Sequence, residues 1–432
     1  MSRPIACCRI CGNRNLVKML DLGRQALTGR FPLPEEPDPL KGPLELVVCQ
    51  GDPRACCGLL QLRHSYPLEE MYGATYGYRS SNNATMVEHL RRKVERLVAL
   101  ASPRPGDGVL DIGSNDGTLL KFYEGLGLRR FGVDPSSVRF AGEYPDDATL
   151  LVDFFSGAKL RPYLGETRLK IVTSIAMLYD LDAPLDFVEE VRSLLAPDGV
   201  WEFEQGYMPL MLERLAYDTV CHEHLSYFGL RQINWMLDRA GLKILDVEVN
   251  DVNGGSFSVK AARQEAPYPV ARNRIEALLA HERLFGPFSL EPYRAFARRV
   301  AEHRDKLRDF FRAARRAGKL VLGYGASTKG NVILQYCGLT SVDLPAIAEK
   351  YSLKFGRVTP GSRIPIISEA EARNLDPDYF LVLPWYYRHE ILEREARFVE
   401  RGGSLVFPLP ELSVAGKPAE AEKPEVMAPS HA

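Results

Sequence analysis

The chain has 432 residues, too many for one hydrophobic core, so we expect two or three domains. Lys and Arg total 55 against 56 for Asp and Glu, a balance that argues against nonspecific binding to nucleic acid or a membrane surface. No apolar run reaches the roughly 18 residues of a membrane helix, and the first residues lack the apolar core of a secretion signal. We therefore expect a cytoplasmic protein without nucleic-acid or membrane partners.

The N-terminal segment is set apart by its cysteines, because six of the eight lie within the first 57 residues. In a cytosolic chain such clusters indicate metal ligands rather than disulfides. Two close pairs joined by a long loop supply the four thiolates of a tetrahedral zinc site. Cys8 and Cys11 form the first pair and Cys49 and Cys57 the second, with Cys57 preferred over Cys56 because a glycine follows it. We predict a structural zinc in a loop-and-strand module of residues 1–65; a cluster of unpaired buried cysteines is the alternative.

The middle of the chain alternates short apolar strands with helices. This alternation is typical of βαβ units and a mostly parallel sheet. We therefore predict a doubly wound, Rossmann-like α/β domain over residues 66–290. Its predicted helices are 83–101, 119–124, 184–195 and 230–240, and its predicted strands are 109–112, 130–133, 169–174, 200–204, 243–249 and 255–262.

A long charged helix, 291–317, opens the last unit, and Phe296, Val300, Leu307 and Phe310 are its predicted buried stripe. Apolar strands follow it. They indicate a second α/β domain over residues 291–412. Residues 413–432 carry few large apolar groups, which is typical of a disordered tail. The predicted strands are 319–323, 379–383 and 404–407.

The first strand of the central domain leads into D-I-G-S-N-D-G-T at residues 111–118. Glycines let the backbone approach a ligand at the carboxyl end of a sheet strand, where open α/β sheets bind cofactors. Dinucleotide-binding loops place G-x-G-x-x-G here to seat a pyrophosphate. The acidic residues of this turn instead suit a ligand with a cationic amino-acid end, and Asp134, which ends the next strand, can accept hydrogen bonds from ribose hydroxyls.

Both features indicate S-adenosylmethionine (SAM); residues that merely cap a helix and a turn are the alternative. The candidate donor-binding residues are Ser80, Asp111, Gly113, Ser114, Asn115, Asp134, Asp153, Phe154 and Ser174.

Residues 217–227 contain His222, Glu223 and His224 in a segment without clean periodicity. Zinc proteases of the H-E-x-x-H type need histidines four apart on a helix, so that interpretation fails. In an extended segment the two histidines would lie on one side and the glutamate opposite. Histidine titrates near neutrality, so we predict a proton-transfer role; a purely structural role is the alternative.

A second Gly-rich turn, residues 323–330, follows a strand of the C-terminal domain and contains Lys329. Backbone N–H groups with an ammonium make a phosphate site, although the spacing is not the Walker pattern. More basic residues follow at 350–357. We predict that this region holds a sugar nucleotide diphosphate; a solvated charge cluster is the alternative. The candidate substrate-binding residues are Tyr324, Lys329, Asn331, Lys354 and Arg357.

Together these motifs resemble the three-domain, zinc-containing sugar C-methyltransferases, which use SAM to methylate nucleotide-linked ketodeoxysugars. The resemblance covers residues 5–412. Beside D-I-G-S-N-D-G-T it includes P-L-E-L (43–46), G-L-L-Q-L (58–62), Y-G-Y-R-S-S (76–81), C-H-E-H-L (221–225), N-G-G-S (253–256), G-Y-G-A (323–326) and G-R-V-T-P-G (356–361).

The resemblance implies a structural zinc, SAM in the central domain and a C-terminal domain that helps to hold a nucleotide-linked keto sugar. It makes His224 the base that removes the proton beside the ketone, with Tyr78, His222 and Glu223 in the same pocket. The expected assembly is a monomer or homodimer. Two departures leave the sugar and the methylated carbon open. Cys221 stands where some of those enzymes carry tyrosine, and residues 174–180 replace a segment that tends to supply a pocket histidine.

Two other functions remain open from the sequence. The first is O- or N-methylation of a sugar nucleotide or a related natural-product intermediate, which needs only general-base help. The second is a non-catalytic binding protein with a zinc module and a degenerate methyltransferase domain. The joint presence of Asp111, Gly113, Asp134 and His224 argues against the second.

Overall fold

The computed structural model describes residues 2–72, 79–286 and 289–416. Its N-terminal part is a small module of antiparallel strands and loops. Strand β3 pairs with β2 on one side and with β4 on the other. The strands are β1 (Arg3–Pro4), β2 (Leu16–Ala26), β3 (Lys41–Cys49), β4 (Leu60–Leu62) and β5 (His64–Ser65).

The central part is a sheet with helices on both faces. Its elements are α1 (Leu68–Tyr72), α2 (Ala84–Ala101), β6 (Gly108–Ile112), α3 (Thr118–Lys121), β7 (Arg129–Val133), β8 (Ala148–Leu151), α4 (Gly157–Leu164), β9 (Leu169–Ile175), α5 (Pro184–Leu194), β10 (Leu195–Gly206), α6 (Met208–Glu213), β11 (Ser226–Tyr227), α7 (Leu230–Arg239), β12 (Leu242–Asn250), β13 (Ser256–Arg263) and α8 (Arg272–Leu284).

The strand order β12-β13-β10-β9-β6-β7-β8 places the first strand, β6, between β7 and β9. All neighbouring pairs are parallel except those of β13, which runs antiparallel to β10 and β12. Connections leave β6 in opposite directions, so a crevice opens at the carboxyl ends of β6 and β9. The predicted doubly wound α/β fold is confirmed.

Side chains of the central strands alternate between two apolar layers, as a pleated sheet requires. Leu110 and Val172 face one layer, while Val109 and Ile171 face the other. Helix α2 covers the second face with Met86, Leu90, Val94 and Leu97 buried, and Val98 packs partly buried beside them. The stripe predicted from the sequence is therefore the face that docks on the sheet.

Lys93 of α2 is buried against two glutamates of β10. Its Nζ lies 2.7 Å from Glu202 Oε1 and 3.0 Å from Glu204 Oε2. Glu204 also pairs with His89 at 2.7 Å. Buried charges of this kind must be mutually satisfied, since removing one partner leaves an uncompensated charge. The network fixes the carboxyl end of β10, where Glu204 reaches the cavity described below.

The C-terminal part repeats the architecture with a second, mostly parallel sheet of order β16-β15-β14-β17-β18-β19. Its first strand, β14, is again central. The elements are α9 (Glu291–Arg316), β14 (Val321–Tyr324), α10 (Thr328–Cys337), β15 (Ile347–Glu349), β16 (Ile366–Ser368), α11 (Glu369–Asn374), β17 (Tyr379–Val382), α12 (Arg388–Arg394), α13 (Ala396–Glu400), β18 (Ser404–Phe407) and β19 (Ser413–Ala415).

Two sequence expectations for this part need correction. On α9 the buried position is Phe311, whereas Phe310 is only half-buried at the edge of the core. Strand β19 pairs antiparallel with β18, although it falls within the stretch predicted to be a disordered tail. Residues 417–432 lie outside the described residues.

The three parts are joined by shared sheets and a shared core. Strand β11 of the central part pairs with β4 of the N-terminal module, Ser226 opposite Gln61. The backbone of Ala26 exchanges two hydrogen bonds with the side chain of Gln335 on α10. In the parts of the chain that the structure describes, no helix is long and apolar enough to cross a membrane.

Candidate active site and zinc centre

Four cysteines of the N-terminal module converge on one point. The Sγ atoms of Cys8, Cys11, Cys49 and Cys57 all lie within 4.8 Å of one another. A tetrahedron of thiolates about 2.3 Å from a zinc ion has edges of about 3.8 Å, so the set fits zinc. Cys56 donates to the carbonyl of Cys49 at 3.3 Å and is outside the set. The structure brings together the four cysteines predicted as ligands, with Cys57 rather than Cys56 among them. A site with four protein ligands would be structural.

The loop after β6 builds a cradle at the crevice of the central sheet. Gly113 has φ +77°, and a Cβ at this position would come within 3.3 Å of Met177. Asn115 also adopts a left-handed conformation. Ser80 and Ser81 close the loop from outside, because their backbone N–H groups donate to Asn115 and Asp116 at 2.9 and 3.0 Å. A side chain at Gly113 would obstruct the cradle, so the glycine is required here.

Three carboxylates line or adjoin this cradle. Asp134 accepts from the backbone of Asn115 at 2.8 Å and from Ser136 at 2.6 Å. Burial raises the pKa of Asp111 to about 7, and a hydrogen bond from Thr173 opposes that rise only in part. The proximity of Asp134 and Asp116 raises it further. The cradle therefore disfavours its own negative charge and suits a cationic ligand group, such as the amino-acid end of SAM.

His224 is held in one orientation at the opposite side of the same cavity. Its Nδ1 donates to the carbonyl of Thr219 at 2.8 Å and lies 3.1 Å from the hydroxyl of that residue. The ring of Tyr179 packs on the imidazole at 4.3 Å. Because Nδ1 carries the proton, Nε2 is the basic nitrogen, and it has no hydrogen-bond partner among the described residues.

The pKa of His224 departs from the near-neutral value expected from the sequence. Burial lowers it to about 3, and the nearby ammonium of Lys329 lowers it as well. The imidazole is therefore neutral at physiological pH and able to accept a proton.

The C-H-E-H segment is a turn, which corrects the expected extended conformation. The backbone of His224 donates to the carbonyl of Cys221 at 3.2 Å, so Glu223 and His224 reach the cavity together. His222 points away from the cavity. Its Nε2 contacts the carbonyl of Gly42 at 3.4 Å, and burial lowers its pKa to about 4. His222 thus packs into the N-terminal module, and the pocket role implied by the resemblance does not fit its position.

Several polar groups of the cavity were not selected from the sequence. Asp180 lines the wall with Oδ1 unpartnered, and burial raises its pKa well above the ordinary value. Burial likewise raises the pKa of Glu223, which was selected from the sequence. Ala176, after β9, has φ +55°, an unfavourable conformation for a residue with a Cβ. This strained backbone lies in the cavity wall, and no sequence pattern predicts the strain.

The basic residues predicted to hold phosphates occupy different positions. Lys329 lines the same cavity as His224, and its Nζ donates to the carbonyl of Asn253 at 2.6 Å. Lys354 donates to Ala326 O at 2.6 Å, and Arg357 to Phe31 O at 2.9 Å. All three basic residues line the cavity, but Lys354 and Arg357 also tie the C-terminal sheet to neighbouring loops.

The remaining candidates divide between the cavity wall and the interior. Tyr324 and Phe154 line the wall. Asn331 is fully buried and donates to Thr28 O, Ser174 accepts from the indole of Trp201, and Asp153 pairs with Lys159. These last three lie outside the cavity lining. Tyr78 lies outside the described residues.

The groups that line the wall surround one cavity of about 1380 Å³ between the central and C-terminal sheets. It joins the cradle at the end of β6 to the Glu223–His224 turn and to the β14–α10 loop. The sheet order, cradle and acidic end residues define a SAM-dependent methyltransferase.

Comparison with known proteins identifies the branch. The chain is 35% identical over 417 residues to the C-methyltransferase NovU of Streptomyces niveus, covering 95% of this chain and 96% of that protein. Family models match in three consecutive stretches, a zinc binding domain (residues 8–72), a methyltransferase domain (86–247) and a C-methyltransferase C-terminal domain (251–410). The chain belongs to the three-domain C-methyltransferase family.

Two solved methyltransferase structures each match about two fifths of the chain. Magnesium protoporphyrin IX methyltransferase from Synechocystis PCC 6803 with bound SAM is 18% identical, with a TM-score of 0.31, covering 41% of this chain and 79% of that one. The CcbJ methyltransferase from Streptomyces caelestis is also 18% identical, with a TM-score of 0.31, covering 40% and 89%.

Proposed function

We propose that this C-methyltransferase adds a methyl group to a carbon beside the ketone of a nucleotide-linked deoxysugar. The observation that carries the proposal is the free Nε2 of His224 in the same cavity as the cradle after β6. A C–H bond beside a ketone ionises only with a positioned base, and this nitrogen is the group oriented for that task.

The donor side of the cavity would be held by groups that the fold already positions. Asp111 and the backbone of residues 113–115 face the amino-acid end, and Asp134 faces the ribose, where its Oδ2 keeps acceptor capacity beyond the Asn115 bond. When bound, SAM supplies an electrophilic sulfonium methyl group and leaves as the neutral thioether. The protein then mainly orients the two substrates and excludes water.

The acceptor side would place the sugar beside His224 and the diphosphate toward the C-terminal sheet. Lys354 and Arg357 keep N–H groups beyond those used on carbonyl oxygens, so both can also contact an anion. Tyr324 lines the same wall. The motifs do not fix the sugar; Cys221 and residues 175–177 line the same cavity and would help to select it.

The raised pKa of Asp111 gives donor binding a pH dependence. A cationic donor favours the ionised carboxylate, so affinity should rise with pH through about 7 and level off above it. At pH 6 we expect SAM to bind about tenfold more weakly than at the plateau, by single-proton linkage. Calorimetry between pH 5.5 and 8 measures this. Asp111→Asn should bind SAM more weakly and lose the rise of affinity with pH. If the variant kept that rise, another group would be the one that titrates.

A panel of nucleotide-linked 4-keto sugars, with mass detection of the added methyl group, tests the substrate class. Deuterium wash-in at the carbon beside the ketone, measured without SAM, tests the mechanism. Exchange by the enzyme supports an enolate. Methylation of a hydroxyl or amine, with no exchange on any sugar of the panel, would instead establish the O- or N-methylation alternative.

A further inference from the structure

Lys329 places a half-buried ammonium on the wall of the cavity. Its Nζ donates to the carbonyl of Asn253 at 2.6 Å and lies 5.0 Å above the ring of Tyr386. No carboxylate among the described residues comes within the 4.0 Å of a salt bridge to it. An ammonium has three donors, so two remain to face the cavity that Lys329 lines.

Asp218 is the carboxyl group whose charge acts on Lys329, but it forms no salt bridge with the ammonium, and its Oδ1 has no hydrogen-bond partner among the described residues. Asp218 accepts from the indole N–H of Trp385 at 2.8 Å, and burial raises the pKa of that carboxyl. A buried charge is costly unless it is paired and hydrogen-bonded. The position of Lys329 therefore calls for an anionic group supplied by a ligand.

The anion is needed at the step in which His224 takes a proton. The ammonium of Lys329 is close enough to lower the pKa of His224. If the imidazole took a proton with nothing between them, two cations would adjoin in a buried site. Formation of a negative charge beside both groups, at the moment of proton transfer, removes that penalty.

We propose that Lys329 is a catalytic residue that donates to the enolate oxygen formed when His224 takes the proton beside the substrate ketone. The C–H bond breaks and its proton goes to Nε2. Its electron pair forms the carbon–carbon double bond, and the carbonyl π pair moves to the oxygen facing Lys329. This assignment rests on the proposed function, and it replaces the phosphate-binding role predicted for Lys329 from its Gly-rich turn.

Asn253 and Gly254 keep the ammonium in place. Asn253 has φ +54° and Gly254 φ +92°, and a Cβ at Gly254 would lie 3.4 Å from Trp385. The loop thus turns one carbonyl toward Lys329 while it packs on the C-terminal domain. Donors preorganised where charge develops are the largest single contribution in many enzymes.

Two variants test the proposal in the full-length, zinc-loaded enzyme. Lys329→Met removes the charge, and Lys329→Arg keeps it. We measure deuterium wash-in beside the ketone without SAM, using a 4-keto sugar nucleotide that the wild type methylates. We also measure the affinity for thymidine diphosphate alone. Lys329→Met should slow the exchange by roughly 100-fold, the scale for losing one oxyanion donor, with diphosphate affinity unchanged. Lys329→Arg should restore part of the exchange rate.

Other outcomes overturn the assignment. If Lys329→Met exchanged deuterium at the wild-type rate, the ammonium would not act on the enolate. A loss of thymidine diphosphate affinity with an unchanged exchange rate would make Lys329 a phosphate ligand. A wild-type enzyme that methylates the ketosugar without exchange would refute the enolate mechanism itself, a failure seen in the parent enzyme rather than in the variant. Folding of both variants is checked by their zinc content and SAM affinity.

Discussion

Replacing His224 by Asn is expected to lower turnover by roughly 100-fold or more, the usual scale for losing a positioned base. Asparagine can keep the hydrogen bond to Thr219 O but has no basic nitrogen to receive a proton. Affinity for SAM should stay near that of the wild type, because the cradle after β6 belongs to another edge of the cavity. Single-turnover kinetics and deuterium wash-in beside the ketone measure the effect. Undiminished exchange would mean that another residue is the base, with Tyr78 the next candidate.

His222→Asn is the matched control. His222 is fully buried against Tyr66, with ring centroids 4.7 Å apart, and does not line the cavity. We expect its replacement to lower thermal stability while turnover per folded molecule stays close to the wild type. If His222→Asn lost as much turnover as His224→Asn and kept its stability, His222 would have to be a catalytic residue.

The pH profile separates the roles further. His224 must be neutral to act, so its contribution to kcat/KM rises with pH only up to its pKa of about 3 and is constant above it. Loss of activity between pH 7 and pH 6 is therefore assigned to Asp111, whose pKa is raised to about 7. Asp111→Asn should abolish the loss of activity between pH 7 and pH 6, and His224→Asn should retain it.

Sequence periodicity predicted the elements well where one face of a helix or strand is apolar. The stripe of α2 and the strand β6, which contains Asp111, follow directly from residue spacing. Cysteine spacing likewise predicted the zinc ligands, because tetrahedral thiolate geometry leaves few choices. Phe310 and Phe311 were confused on α9 because adjacent aromatic residues fit the same 3.6-residue period.

Contacts between distant segments could not be predicted from the sequence. The turn at His222 and Glu223 depends on pairing between β11 and β4, about 165 residues earlier in the chain, and no local pattern encodes it. Lys329 and His224 line one cavity only because the C-terminal sheet packs against the central one. The Gly-rich turn around Lys329 therefore indicated a phosphate site when only the sequence was considered. The residues that surround Lys329 in the fold instead favour binding of an enolate oxygen.

The zinc centre and the base are mechanically linked. Strand β4 begins three residues after Cys57 and pairs with β11, which begins two residues after His224. On the other side, the side chain of Gln232 donates to the carbonyls of Cys57 and Gly58 at 3.1 and 3.2 Å. A bound zinc would therefore support the strand that pairs next to the His224 turn, whereas the cradle after β6 belongs to the central sheet.

We accordingly expect Cys57→Ala to lose its zinc, to unfold at lower temperature and to lower turnover by about 100-fold, the scale for misplacing a catalytic group by about 1 Å. Because zinc binding contributes directly to folding, β4 should loosen and release His224, while SAM affinity stays near the wild-type value. Elemental analysis, thermal unfolding and calorimetry measure the three effects. Cys56→Ala is the control, since Cys56 neighbours the site without belonging to the ligand set, and it should keep one zinc and normal turnover. Full activity in zinc-free protein would show that the base is held without the metal, by the packing of Tyr179 and the bond to Thr219 alone.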